Sequence, residues 1–261
     1  YEPIEYTMGI GTITKIAMEN LMAQMEEQST KRPEKIHLAE VEPGDIAVIT
    51  VSPGNGLSQI FASLGVAAIV DGGQTMNPST EEILKAFEDL PTDKIILLPN
   101  NKNIILAAES AASVSVKKVA VIPSRNIPQG ISALLHLVPD GNFDQVVQDM
   151  NDALTDVEAG EITIATRTVQ INGVDVEEGQ VIVLHNGKLI SSANTLEEAV
   201  MTFLESAETK DRERITFFTG GEVQKKTIDQ IVSSVKDSYP DHEIEVHPGG
   251  QPHYQFIISI E

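Results

Sequence analysis

The strongest constraint on the fold lies between residues 36 and 157, where short apolar runs alternate with helical segments across clusters of turn residues. Asp45–Val51 (DIAVITV) is a β-branched run set off by Pro43-Gly44. The same reading predicts strands at Ala67–Val70, Lys94–Leu98 (KIILL) and Lys118–Ile122 (KVAVI). Helices are expected at Leu57–Leu64, Thr80–Leu90 and over about 103–114, 127–137 and 142–157. Apolar runs bounded by turns and alternating with helices argue for a mostly parallel sheet covered on both faces.

Residues 160–261 have a different texture. Asn172-Gly173 and Asn186-Gly187 each sit between β-branched runs, the strongest short-range signal for a hairpin. Strands are expected at 161–171, 174–176, 180–185 and 188–192. A helix over 195–207, a strand at Arg214–Thr219 and a helix over 223–237 should follow. Glu243–His247 and Tyr254–Ile260 then read as strands around the turn Pro248-Gly249-Gly250, with His247 and His253 facing each other across a hairpin. The expected fold is therefore two-lobed α/β: a mostly parallel lobe over 36–158 and a mixed lobe with hairpins over 159–261.

The two lobes carry a faint echo. Val41-Glu42-Pro43-Gly44-Asp45 resembles Val176-Glu177-Glu178-Gly179-Gln180, and Ser79-Thr80-Glu81-Glu82 resembles Thr195-Leu196-Glu197-Glu198. Both latter segments are Ser/Thr-x-x-Glu capping boxes. Lys94–Leu97 and Arg214–Phe217 would be the next matching pair, and the reading is of two related lobes. Residues 1–35 stand apart. Ile13, Ile16, Ala17, Leu21, Met22 and Met25 recur at helical spacing, so one amphipathic helix over about 11–29 is expected, a helical linker broken by Ser29, Thr30 and Pro33.

Composition removes several function classes. The chain of 261 residues has no Cys, which excludes a disulfide scaffold, a thiol nucleophile and any Cys-based metal site. Its net charge of −21 leaves no basic footprint for nucleic acid, and an anionic membrane would repel it. No apolar run approaches the roughly 18 residues of a membrane span. The start at Tyr1-Glu2-Pro3 is neither a signal peptide nor a Met start, so a trimmed fragment of a cytoplasmic protein is expected.

Ligands of parallel sheets bind beyond the carboxyl ends of the strands, so those loops hold the candidate residues. Ser52-Pro53-Gly54-Asn55-Gly56 would let backbone N–H groups face an anion at a helix N-terminus, or would be a tight turn with Asn55 as cap. Gly72, Gly73, Gln74 and Asn77 follow the second strand, and Asn77 or Ser79 should cap the next helix. Asn100, Asn101 and Lys102 could fix a polar ligand or cap a helix. Arg125 could bind a carboxylate or phosphate bidentately, or form a surface ion pair. A zinc site from His242, His247 and His253 would lack a fourth ligand. Neither a Walker A loop nor a nucleophile elbow is visible.

Taken in order, Thr50–Gly56 (TVSPGNG), Val70–Thr80 (VDGGQTMNPST), Leu98–Ile104 (LPNNKNI), Val121–Leu134 (VIPSRNIPQGISAL) and Gly249–Tyr254 (GGQPHY) resemble the C-terminal region of the ATP-binding subunit of bacterial fatty acid kinase, a protein of dihydroxyacetone-kinase-like type. The resemblance covers about residues 36–261. It implies a fold like that of the DegV-type fatty-acid-binding proteins. It also implies that the kinase site, with its Mg-ATP, and a Cys/His zinc site belong to domains outside this chain. No cofactor is then expected here. The implied role is non-catalytic: to dock the DegV-type, acyl-carrying partner for the rest of the kinase polypeptide, with Ser52, Gly54, Asn55, Gly56, Gly72, Gly73, Gln74, Asn77, Asn100, Asn101, Lys102, Arg125 and Gln251 as candidate contacts. The alternative is direct binding of a fatty acid or small anion. Thr75-Met76-Asn77-Pro78-Ser79 is similar to the Ser/Thr loop that holds the carboxylate in DegV-type proteins, but has Asn before the Pro and a flanking Gly-Gly.

Overall fold

A computed structural model describes residues 36–73, 77–171 and 173–261. The expected helix over 11–29, the linker over 1–35 and the candidate Gln74 lie outside the described residues.

Residues 36–157 form a four-stranded parallel sheet. Strand β1 (Ile46–Ser52) leads to helix α1 (Asn55–Ser63), β2 (Ala68–Asp71), α2 (Thr80–Glu88), β3 (Lys94–Leu98), α3 (Ile105–Val114), β4 (Lys118–Val121), α4 (Ile127–Leu134) and α5 (Phe143–Asp152). The strand order is β2-β1-β3-β4, every pair parallel. Strand β1 is buried along its whole length, as a central strand covered on both faces must be. Alternation sends its residues to two cores. Ala47, Ile49 and Val51 pack with Ile95 and Leu97 against Ile83 and Phe87 of α2 and Ala108 and Ala111 of α3. Ile46 and Val48 pack with Ile96 and Leu98 against Leu57 and Phe61 of α1 and Met150 of α5. Burial of each large side chain here contributes about 2 kcal/mol.

Helix starts follow the local chemistry. Ser79 caps α2 in a reciprocal box with Glu82, accepting from the Glu82 N–H while the Glu82 carboxylate accepts from the Ser79 N–H at 2.7 Å. Asn126 caps α4 by accepting from the Gln129 N–H. The predicted helix over 142–157 stops earlier, at Asp152. A 3-10 turn at Ala153–Thr155 replaces its end, because β5 already starts at Glu158.

The second sheet has six strands in the order β11-β10-β12-β5-β8-β9. It is built from β5 (Glu158–Ile164), β8 (Val181–His185), β9 (Lys188–Ala193), β10 (Arg214–Thr219), β11 (Glu243–Pro248) and β12 (Tyr254–Ile260). The expected strand over 161–171 is two strands. Past Ala165 the chain leaves this sheet, and β6 (Val169–Ile171) pairs with β7 (Val174–Val176) on its own. Asn186 and Gly187 both take positive φ, 49° and 75°, and close the β8–β9 hairpin as expected. Helices α6 (Leu196–Ser206) and α7 (Lys225–Ser238) cover one face, where Phe203 and Val235 pack on Ile162, Phe217 and Phe256.

Two expectations fail on strand order. Strands β1 and β3 are parallel neighbours, whereas β8 and β10 are separated by β12 and β5 and run antiparallel. The echo is therefore one of turns and caps, which are local, and not of sheet topology. His247 and His253 do not face each other across a hairpin. Strand β10 lies between β11 and β12, and the 249–253 segment crosses its end, with the Gly249 and Gly250 N–H groups both donating to the Thr219 carbonyl at 3.0 Å.

The uncovered face of the second sheet turns toward the first. Phe218 and Ile257 belong to the same core as Val48 and Leu98. One row of register partners, His247, Phe218, Ile257, Glu161, Leu184 and Leu189, crosses the sheet on this face.

Candidate functional site

The strand-end loops of the first sheet meet the second sheet in two different ways. At one side the contact is closed, backbone to backbone. Gly54 is the N-cap of α1 with φ 117°, and a Cβ there would lie 2.7 Å from the Gly250 carbonyl oxygen. A Cβ on Gly56 would lie 1.8 Å from that of Pro248. The Leu57 N–H donates to the Gly249 carbonyl at 3.0 Å. The helix N-terminus that could have faced an anion therefore receives a backbone carbonyl. Asn55 is exposed and is not the cap. Ser52 is buried and accepts from the Ser58 hydroxyl at 3.1 Å. Gln251, 1% exposed, donates to the Phe218 carbonyl at 2.8 Å.

Asn100 ties the ends of three parallel strands. It holds φ 55°, and its amide donates to Thr50 Oγ1 at 2.7 Å and to the Val51 carbonyl at 2.9 Å. Its Oδ1 accepts from the Ser124 hydroxyl at 2.8 Å, and that hydroxyl accepts from the Asn100 N–H at 3.0 Å. Its side chain already has a partner for each donor and for its acceptor. Asn101 is buried, and its Oδ1 accepts from the Asn103 N–H in the turn before α3. Gly72, Gly73, Asn100 and Asn101 line, with Pro53 and Glu161, a cavity of about 30 Å³. That is room for a water or two. Asn77 is exposed and lines neither this cavity nor the cleft beside it, and Ser79 does the capping.

The other side of the contact is open. A cleft of about 510 Å³ lies between the loops after β3 and β4, helix α3 and the β8–β9 hairpin. That size falls within the range of small-molecule sites, roughly 300–1,000 Å³. Lys102, Arg125 and Lys188 line it, together with Glu109, Ile105, Leu106, Leu184 and Tyr254. Several cations away from the cleft are engaged: Lys85 with Glu81, Lys118 with Asp144, Arg214 with Glu243, and Lys117 with the carbonyls of Leu90 and Thr92. Among the described residues, no carboxylate comes within ion-pair distance of Lys102, Arg125 or Lys188.

Glu161 borders both the small cavity and the cleft. It is 8% exposed, in a sheet row whose neighbours are Ile257 and Leu184. Burial pushes its carboxyl up to about 7, and the charge of Lys102 pulls the other way without cancelling the effect. The sequence reading did not single out Glu161, Lys188, Glu109 or Leu184. The β5 segment EAGEITI has no pattern marking Glu161 as inward, since its burial comes from the facing sheet. The reading did bring Lys102 and Arg125 forward, and the fold joins them in this cleft.

Two α/β sheets, one parallel and one mixed, meeting over the strand-end loops of the first define a DegV-like fold. A DegV family protein of Thermus thermophilus, described as binding fatty acid, superposes with a TM-score of 0.58 at 15% identity, over 83% of this chain and 99% of that one. The Streptococcus pneumoniae fatty acid kinase B3 protein loaded with linoleic acid gives 0.57 at 14% identity, over 85% and 99%. The dihydroxyacetone kinase of C. freundii gives 0.60 at 13% identity, over 95% of this chain and 57% of that one. The sequence narrows the class. Residues 47–261 match the FakA-like C-terminal family of fatty acid kinase, and the chain belongs to that family. It is 37% identical over 261 residues to a protein of Staphylococcus aureus (strain USA300), covering 98% of this chain and 46% of that protein. A Staphylococcus epidermidis protein is 37% identical over 259 residues, with shares of 98% and 47%. The chain spans about half the length of these curated relatives. Among the described residues no helix is long and apolar enough to cross a membrane.

Proposed function

We propose that this chain is the non-catalytic, C-terminal part of a fatty acid kinase, and that it docks a DegV-type fatty-acid-binding protein. Docking would bring the partner's acyl carboxylate to a kinase domain elsewhere in the longer polypeptide, where Mg-ATP would be held. The observation that carries this reading is the family match over residues 47–261, in a chain spanning about half of its relatives. Of the candidate contacts among the described residues, Asn55, Asn77, Lys102 and Arg125 are exposed and open to a partner. Ser52, Gly54, Gly56, Asn100 and Gln251 have packing or hydrogen-bonding roles within the fold. Isothermal titration of this chain with its DegV-type protein, with and without bound fatty acid, is the test. Saturable binding that weakens in Lys102→Ala or Arg125→Ala supports docking through this face; no heat in either state removes the reading.

A second reading, direct binding of a fatty acid or small anion, is favoured by the cleft of about 510 Å³ and its three cations, which have no ion-pair partner among the described residues. The cavity of about 30 Å³ beside it does not suit an acyl chain.

A further inference from the structure

The open cleft carries an inference beyond docking, which rests on the second reading above and sharpens its ligand. Three elements distant in sequence each bring one cation to it: Lys102 from the turn before α3, Arg125 from the loop after β4 and Lys188 from the β8–β9 hairpin. Three exposed cations with no ion-pair partner among the described residues focus a positive potential on this cleft, which stands out in a chain of net charge −21 and favours an anionic ligand. A carboxylate needs one such partner; a phosphate, with three outer oxygens and a charge near −2, can engage all three. The charged groups facing the cleft also include two acids, Glu109 on α3 and Glu161 on β5, with the Tyr254 phenol of β12 beside them. With Glu161 protonated, three cations face one carboxylate, Glu109; with Glu161 ionised they face two.

Apolar side chains share the same walls. Leu106, which is 72% exposed, stands there with Ile105 and Leu184. A bare inorganic ion would leave these uncovered. We propose that the cleft lined by Lys102, Arg125 and Lys188 binds an organic phosphate with an apolar substituent, its phosphate on the three cations and its chain along Ile105, Leu106 and Leu184. Glu161 borders the same space. In its protonated form it both removes a repelling charge and supplies an O–H donor to a phosphate oxygen.

The test uses the whole chain and decyl phosphate, decanoate and inorganic phosphate as probes, by isothermal titration. Decyl phosphate should bind saturably and at least about tenfold more tightly than either other probe, since each of them lacks one half of the recognition. Lys102→Ala with Arg125→Ala should weaken it by at least about tenfold. Lys188→Glu, on an exposed hairpin where packing does not depend on the side chain, should do the same by charge reversal. From about pH 6 to about pH 8 the second ionisation of the phosphate should raise the affinity in Glu161→Gln, whereas in the parent protein ionisation of Glu161 opposes that gain, so the ratio of parent to variant affinity should fall. Decanoate binding as tightly as decyl phosphate would overturn the phosphate assignment. Equal affinity of decyl phosphate for the parent and for a folded Lys188→Glu variant would overturn the site. Titration with the DegV-type partner separates the two proposals. A Lys188→Glu variant that still docks but binds no decyl phosphate keeps both, and a parent protein that binds decyl phosphate but fails to dock loses only docking.

Discussion

The two sides of the contact between the sheets are built from opposite materials. At Gly54, Gly56 and Gly249–Gly250 no side chain intervenes, and backbone carbonyls fill the space that an anion could have taken. Around Lys102, Arg125 and Lys188 long side chains stand about an open cleft of about 510 Å³. Both sides use strand-end loops of the same sheet. The difference shows that a glycine- and amide-rich loop is not in itself a ligand site. The loops at the closed side hold the two sheets together; those at the open side present cations to a cleft.

The largest expected effect would break the closed side. Gly56→Ala places a methyl group 1.8 Å from the Pro248 carbonyl oxygen, with backbone on both sides. It should cost about 4 kcal/mol or more, read as a fall in the denaturant midpoint. An unchanged midpoint would mean that the sheets separate more easily than this contact implies. Asn100→Ala comes next. It removes the partner of Thr50, Val51 and Ser124 and leaves Ala at φ 55°, so a loss of about 3 kcal/mol is expected by the same measurement.

The open side predicts an effect of the other sign. Glu161 holds its proton to about pH 7 in the fold, against 4.5 as the ordinary value. Between those values the folded chain binds more protons than the unfolded one, so this contribution to stability is present at low pH and is lost as pH rises through the window. The loss amounts to about 3 kcal/mol by the time the pH passes the folded value. Glu161→Gln should therefore gain about 2 kcal/mol at about pH 8 and nothing at about pH 4, in urea unfolding at the two pH values. A gain of equal size at both would remove the buried charge as its cause.

Smaller effects sharpen the contrast between loop and cleft. Asn101→Ala loses the side-chain hydrogen bond to the Asn103 N–H in the turn before α3 and should cost about 1 kcal/mol in thermal unfolding. Lys102→Ala, one residue on, should change stability by less than about 0.5 kcal/mol, because the side chain is exposed and has no ion-pair partner among the described residues. Paired substitution at 101 and 102 would blur these outcomes, so the single Lys102 variant is the cleaner probe of binding.

Much of the fold was legible from neighbouring residues. The parallel alternation of β1 to β4, the Ser79–Glu82 capping box and the Asn186-Gly187 hairpin all depend on groups within a few positions. The site was legible only in part. Lys102 and Arg125 stood out as cations at strand ends, whereas Lys188 looked like any surface lysine on a hairpin. Asn55 looked like a cap because its loop had the composition of one; Gly54 holds that position.

Periodicity, turns and caps are set by contacts that the sequence itself keeps close, so reading along the chain reached them and, through the ordered loops, the family. Strand order in the second sheet, the seating of Gly54 and Gly56 on residues 248–250 and the convergence of three cations were decided by the tertiary structure alone. So was the burial of Glu161. Its desolvation comes from side chains far away along the chain, Ile257 and Leu184 beside it and the first sheet in front, and burial of that kind leaves no periodic mark in a segment that reads EAGEITI.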